Sequence, residues 1–271
     1  MLLGGFDGLH FGHKTLLSQA KKYGLPIGIT TIIGGKSSEG VFTVEERRAI
    51  FKDAGVDFVF ELPFVEIKNQ TPSQFAQVLM DEFAPSRFIC GEDFRFGKNA
   101  EGTPAWLKEH IQVCVEVQPL LEMDGEKVSS GKIKSLLLAG EIQKANRLLD
   151  GVFFLSGRVE EDRKVGRTIG FPTANIVYPK DKFPLKQAVY ETRVVVDGVE
   201  YKGITNYGTR PTFSSDRVIT ETYLDGFDGN LYGKTLTVRF VRLLREIQKF
   251  DGISGLKAQL QEDIRRVREN D

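Results

Sequence analysis

Leu2-Leu3-Gly4-Gly5-Phe6-Asp7-Gly8-Leu9-His10-Phe11-Gly12-His13 runs from an apolar segment through a glycine-rich turn to a pair of histidines. Residues 2–6 read as a short strand. After the turn, a helix is expected from about His13 to Tyr23, with Leu16, Leu17 and Ala20 on one face and Gly24 ending it. The same alternation repeats downstream. Pro26 to Ile33 is nearly all apolar, as a strand buried on both faces of a parallel sheet must be. Thr43-Val44-Glu45-Glu46 has the form of a capping box and opens a helix that Gly55 stops. Val56 to Leu62 is a third strand, and Thr71-Pro72 caps a helix running to about Phe83. Arg87 to Cys90 is a strand ending at Gly91, followed by a helix near Pro104–His110 and a strand at Ile111–Val117. Strands alternating with helices imply a parallel α/β sheet with its sites at the C-terminal strand ends.

The pattern then changes. Ser129 or Ser130 caps a helix holding Ile133, Leu136 and Leu137, and a second short helix reaches Leu149. From there the chain reads as strands at 152–159, 187–196, 200–206, 218–224 and 236–244, separated by turn pairs such as Asp197-Gly198 and Asp228-Gly229. That is an antiparallel barrel or sandwich, closed by an amphipathic helix at about Ile253–Val267. The expected organisation is two domains, 1–150 and 151–271.

Composition narrows the function classes. The 271 residues are 41% hydrophobic and 27% charged, with 37 basic and 37 acidic side chains, so the net charge is zero. A general nucleic-acid binder is not expected from that balance. The apolar runs are too short to span a bilayer, no charged-then-apolar signal segment is recognisable, and no membrane partner is expected. Two cysteines, Cys90 and Cys114, fit a reducing cytoplasm, and both are expected to be small buried hydrophobes. Three histidines and two cysteines offer no metal-cluster spacing.

Two stretches carry chemistry. His10 and His13 sit where the first strand hands over to the first helix, a position whose free amides and dipole favour phosphate. Imidazoles there can donate to phosphoryl oxygens as charge develops. A histidine pair alone is more often structural; its place at the end of strand one favours function. The second stretch is Gly166-Arg167-Thr168-Ile169-Gly170-Phe171-Pro172-Thr173-Ala174-Asn175. Its glycines permit close backbone approach, its amides can form an anion-binding concavity, and Thr173 and Asn175 offer oxygens suited to Mg²⁺. For a glycine-rich decapeptide by itself, a tight turn between strands is the plainer reading. On a strand, Glu221 shares a face with Ile219 and Tyr223. Periodicity does not say whether that face is inward or outward.

These motifs resemble the bacterial FAD synthetase family, which joins riboflavin kinase to FMN adenylyltransferase. G-F-D-G-x-H-x-G-H resembles that family's form of the nucleotidylyltransferase H-x-G-H. Gly91-Glu92-Asp93-Phe94-Arg95-Phe96-Gly97 matches its G-x-D/N-F-x-F-G loop, and Val128-Ser129-Ser130-Gly131-Lys132-Ile133-Lys134 its I-S-S-T-x-I-R. Residues 166–175 resemble the riboflavin kinase signature. Asn206-Tyr207-Gly208-Thr209-Arg210-Pro211-Thr212-Phe213 and Leu244-Arg245-Glu246-Ile247-Gln248-Lys249-Phe250 resemble further kinase segments.

The resemblance implies a Rossmann-like nucleotidylyltransferase domain and a β-barrel kinase domain with a terminal helix. Riboflavin would be phosphorylated to FMN and FMN adenylylated to FAD, both with ATP and Mg²⁺, in the cytoplasm. Glu221, His10 and His13 would be catalytic. Gly5, Phe6, Asp7, Gly12, Asp93, Ser129, Ser130 and Lys134 would hold the nucleotide of the first domain. Gly166, Arg167, Gly170, Thr173 and Asn175 would hold that of the second, with Thr173 and Asn175 also on the metal. Asn206 and Arg210 would bind flavin. The departures are Gly131 in place of the family's threonine, Lys134 in place of its arginine, and Thr31-Ile32-Ile33-Gly34-Gly35-Lys36 in place of F-D-P-H-P. They leave open a kinase whose adenylyltransferase half is weak or inactive, and a non-catalytic flavin-binding regulator remains a third reading.

Overall fold

The computed structural model describes residues 1–35, 39–161, 171–211 and 216–269. The chain folds as two compact units. One is Met1–Ile133 with Asp181–Phe183; the other is Lys134–Lys180 with Pro184–Asp271.

The first unit is built on five parallel strands, β1 (Leu2–Leu3), β2 (Gly28–Ile33), β3 (Phe58–Pro63), β4 (Arg87–Gly91) and β5 (Cys114–Gln118), in the order β3-β2-β1-β4-β5. The order reverses at β1, so the crevice beyond β1 and β4 is the switch point where such folds bind ligands. Helices cover both faces: α1 (Phe11–Lys21), α2 (Val44–Asp53), α3 (Phe64–Ile67), α4 (Pro72–Phe83) and α5 (Pro104–His110). Leu2, Ile29 and Ile89 pack with Leu16, Leu17 and Phe51 on one side of the sheet. Leu3, Phe88 and Cys90 pack with Phe75, Leu79 and Leu107 on the other. The caps read from sequence are present. Thr43 and Glu46 exchange both bonds of a capping box, and Thr71 forms another with Gln74 ahead of Pro72.

Some expectations are corrected. The first strand is two residues long, and α1 begins at Phe11 because His10, rather than a later residue, is its N-cap. β5 starts at Cys114 instead of Ile111. Cys114 is exposed, its sulfur accepting from Arg87 Nη1, so only Cys90 is a buried hydrophobe. A small hairpin, β6 (Glu122–Met123) and β7 (Glu126–Lys127), turns at Asp124-Gly125, both with positive φ.

The second unit starts with the C-terminal turns of α6 (Ser130–Ala139), then α7 (Ile142–Leu149). Six antiparallel strands follow, β8 (Phe154–Arg158), β9 (Thr173–Val177), β10 (Ala188–Val196), β11 (Val199–Pro211), β12 (Asp216–Leu224) and β13 (Thr235–Glu246), ordered β8-β13-β10-β11-β12-β9. A bridge between Glu160 and Asn175 brings the two edges together, so the sheet is a nearly closed barrel. Closure needs a glycine at 157, where a Cβ would lie 2.4 Å from Ile176 Cγ2. Tyr190, Val194, Phe240 and Leu155 fill the interior with a hydrogen-bonded row of Thr192, Thr205 and Thr222. The terminal helix α8 (Ile253–Arg268) lays Val267 and Ile264 over Val189 and Ile204 on the outer face. Asp263, fully buried, takes a two-pronged bond from Arg245 and fixes the helix there.

Candidate active sites

A cleft of about 280 Å³ opens at the C-terminal ends of β1 and β4. Gly4, Gly5, His10, Gly12 and His13 form one wall, Gly91, Asp93 and Arg95 another, and Lys127, Ser129 and Ser130 a third. The local sequence explains the placement. His10 caps α1, its Nδ1 accepting from the His13 amide at 3.3 Å. One turn of helix then brings the two imidazoles into a stack with centroids 3.6 Å apart. Phe6 lies against His13 at 4.3 Å. A side chain at position 4 would strike the Phe6 ring, so a glycine is needed there. Ser129 caps α6 by accepting from the Lys132 amide, settling which serine does so.

The backbone fixes both tautomers. A carbonyl only accepts, so His13 Nδ1, 2.8 Å from Gly8 O, carries a proton. An amide only donates, so His10 Nδ1 carries none and its proton is on Nε2. Burial pulls the His10 pKa down to about 4, with Asp93 opposing and Lys127 adding to the fall. Burial, then the neighbouring His10, holds His13 well below its usual value. Both rings are therefore neutral at pH 7. His10 offers an Nε2–H donor and His13 an Nε2 lone pair, which becomes a donor only when an incoming anion raises its pKa.

Other residues expected here behave differently. Phe6 is core, 1% exposed, and the Asp7 carboxylate accepts from the Val41 amide; neither lines the cleft. Lys134, one turn along α6 from Ser130, is not among the residues that line the cleft. Two cleft residues were missed from sequence. Arg95 lay within a quoted motif, and Lys127, paired with Asp93, follows a recognisable Asp-Gly turn. A second cavity of about 550 Å³ shares Gly4, Ile32, Phe94 and Arg95 with the first and adds Phe64, Phe75 and Phe96.

In the second unit the informative feature is a row across three strands. Asn206 on β11 pairs with Glu221 on β12, and Glu221 pairs with Asn175 on β9. Directly paired residues project to the same side, so Asn206, Glu221 and Asn175 share a face. Thr173, two residues before Asn175, joins them. Thr220 and Thr222 are fully buried while Glu221 and Tyr223 are half-buried, so this face is the barrel's outer one. Asn175 is only 8% exposed, and its Oδ1 has no hydrogen-bond partner among the described residues. A buried carbonyl oxygen left unpaired is costly unless a ligand completes it. An amide oxygen and a threonine hydroxyl are hard donors that fit Mg²⁺. Gly166, Arg167 and Gly170, like Lys36, lie outside the described residues, as does the side chain of Arg210.

A doubly wound sheet with an anion-suited cleft at its switch point, followed by a barrel bearing an Asn-Glu-Asn row, defines a two-module, nucleotide-handling protein. Comparison with known sequences makes that specific. The FAD synthetase family model matches residues 1–132 and the riboflavin kinase model residues 149–270. The bifunctional riboflavin kinase/FMN adenylyltransferase of Pseudomonas fluorescens is 32% identical, covering 98% of this chain and 91% of its own. That of Bacillus subtilis (strain 168) is 30% identical, with 97% and 89% covered. The chain belongs to the bifunctional riboflavin kinase/FMN adenylyltransferase family. A solved structure titled as a macrolide-efflux protein from Streptococcus pneumoniae superposes with a TM-score of 0.88 at 27% identity, covering 98% of this chain and 92% of that one.

Proposed function

We propose that this chain phosphorylates riboflavin to FMN with ATP and then adenylylates FMN to FAD, releasing pyrophosphate. The observation that carries the reading is the presence, in one chain, of a histidine-lined cleft at a parallel sheet's switch point and a glutamate flanked by two asparagines on a barrel.

In the barrel, Glu221 takes the proton of the riboflavin 5′-hydroxyl as that oxygen attacks the γ-phosphate of ATP. Asn175 and Thr173 hold the phosphates and would hold the Mg²⁺ that accompanies them. Mg²⁺, when bound, neutralises charge on the transferring phosphoryl group. Asn206, beside Glu221, orients the flavin's polar tail together with Arg210. Gly166, Arg167 and Gly170 bind the same ATP.

In the α/β unit, the FMN phosphate attacks the α-phosphate of a second ATP. His10 donates Nε2–H to the phosphoryl oxygens. His13 takes up a proton as the triphosphate arrives and donates in turn. Gly5, Gly12, Ser129 and Ser130 line the path of the phosphates, and Lys127 adds positive charge opposite Asp93. The phenylalanine-lined second cavity receives the flavin ring, whose flat apolar surface suits Phe64, Phe75 and Phe96. Cytoplasmic residence fits the substrates, and no described helix is long and apolar enough to cross a membrane.

The test is to supply riboflavin or FMN separately, with ATP and Mg²⁺, and resolve flavins by chromatography. Riboflavin should give FMN and then FAD; FMN should give FAD and one pyrophosphate. FMN from riboflavin with no FAD from either substrate would reduce the chain to a kinase. Flavin binding without turnover would make it a binding protein.

A further inference from the structure

We infer that Arg47 and Thr31 are positioning residues for adenylyl transfer, acting through the backbone of Phe6 on the His13 imidazole. The inference rests on the adenylyltransferase reading of the α/β cleft.

Phe6 is strained. Its φ of 35° lies in the left-handed region, which a bulky side chain adopts only when its surroundings impose it. The strain has a use, because this conformation lays the Phe6 ring against His13, 4.3 Å between centroids. Something must hold it, and the end of β2 does. Ile32 N donates to Gly5 O at 3.2 Å. The Thr31 hydroxyl lies 3.1 Å from Phe6 O and 3.4 Å from Gly5 O. A hydroxyl has one proton, and Arg47 decides where it goes. Arg47 Nη1 donates to Thr31 Oγ1 at 2.9 Å, occupying its lone pair and leaving the hydroxyl proton for the turn. The same nitrogen donates to Ile32 O at 2.9 Å. The relay thus runs from guanidinium to hydroxyl to the carbonyl of a strained residue to an imidazole.

Neither member of the relay is an ordinary structural side chain. Thr31 is 2% exposed and Arg47 6% exposed. A buried guanidinium is costly, and Arg47 Nε has no hydrogen-bond partner among the described residues. Neither residue lines the cleft, so neither touches substrate. A donor must sit within a fraction of an ångström of the oxygen it serves, and a displacement of about 1 Å can cost on the order of 10²-fold in rate.

The experiment uses the full chain and compares Thr31→Val, which keeps shape but loses the hydroxyl, with Thr31→Ser, which restores it. Arg47→Met and Arg47→Lys test the second link. FAD formation from FMN and FMN formation from riboflavin are measured on each. Thr31→Val should lower kcat for adenylylation roughly 10- to 100-fold, with KM for ATP and the kinase rate close to wild type. Thr31→Ser should recover most of the loss, and Arg47→Lys more than Arg47→Met. The double variant Thr31→Val with Arg47→Met should be no worse than the poorer single one, because both break one relay. Thr31→Val carries the test alone if Arg47→Met does not fold. Wild-type adenylylation in folded Thr31→Val would overturn the inference, as would a loss that serine does not repair or that appears in KM alone. Absence of FAD from the wild-type chain would overturn the adenylyltransferase reading and this inference together.

Discussion

The two units place their chemistry by different means. In the α/β unit, the histidine pair is a local product: a cap at His10 and one helical turn bring both rings together, and the fold only has to supply the strand end beneath them. In the barrel, Asn175, Glu221 and Asn206 come from three strands, and only the register of β9, β11 and β12 makes them neighbours. A site written into a short stretch survives in the sequence as a motif. One assembled by pairing across tens of residues leaves separate motifs, and nothing in the sequence says that they meet.

The comparison predicts two centres that fail separately. Glu221→Gln should lower FMN formation by roughly 10²–10⁴, the usual worth of a general base. His13→Ala should lower FAD formation by roughly 10²–10³, the usual worth of one transition-state donor. Each should spare the other reaction, and chromatography of both flavins reads this directly. Parallel losses of both activities in either variant would break the contrast.

The boundary can be sharpened next. Asn146 on α7 donates to Phe240 O and accepts from Phe153 N, while Ile142, Ala145 and Leu149 are buried. We propose that kinase chemistry belongs to residues 151–271, but the unit that houses it begins earlier. A 134–271 fragment should therefore be more stable than 151–271. Burial of Ile142 and Leu149, at about 1.5–3 kcal/mol each, sets the difference at roughly 3–6 kcal/mol. Urea midpoints measure it, and equal midpoints would make α7 an ornament.

A third test concerns pH. His10 has a folded pKa of about 4, below the ordinary 6.5. Between those values the unfolded chain binds more protons than the folded one, so stability is fully present above about pH 6.5 and is lost as pH falls toward 4. A shift of this size corresponds to roughly 2–4 kcal/mol. His10→Asn keeps a capping side chain and removes the titration. Its stability should fall less than that of wild type between pH 6.5 and 4, measured by chemical unfolding. Equal slopes would mean the ring is not buried neutral.

The smallest effect concerns the departures at Gly131 and Lys134. Beyond its own helix backbone and chain neighbours, nothing lies closer than 3.9 Å to a Cβ built at position 131, so there is open space for a side chain to begin there. Gly131→Thr with Lys134→Arg should raise FMN-to-FAD conversion by up to about tenfold, one net hydrogen bond being worth about 0.5–1.5 kcal/mol. An unchanged rate would show that other groups, Lys127 among them, already make up the difference.

The parallel sheet was legible because buried strands and capped helices alternate, and Thr43 and Thr71 mark their helices within one residue. The barrel's long strands were equally clear. Strand β9 was not, since Ala174 and Asn175 are poor strand formers and the segment follows glycines and a proline; it is a strand because pairing with β12 buries Ala174 and Ile176. That pairing also answers what periodicity left open, putting Glu221 on the outer face beside Asn175. In the cleft, the histidines and serines were legible as motifs. Phe6 and Asp7 belong to the same motif but do not line the cleft, because a motif does not distinguish residues that shape a turn from those that face its ligand. The relay from Arg47 could not be read at all, as it joins three segments only in space.

Two independent catalytic centres on one chain should complement each other when variants are mixed. Glu221→Gln and His13→Ala are each incubated with riboflavin, ATP and Mg²⁺, then combined in one reaction. Separately, the first should leave riboflavin unchanged and the second should accumulate FMN. Together they should make FAD, because FMN released by one protein is adenylylated by the other. FAD from either variant alone, or none from the mixture while both remain folded, would contradict the account.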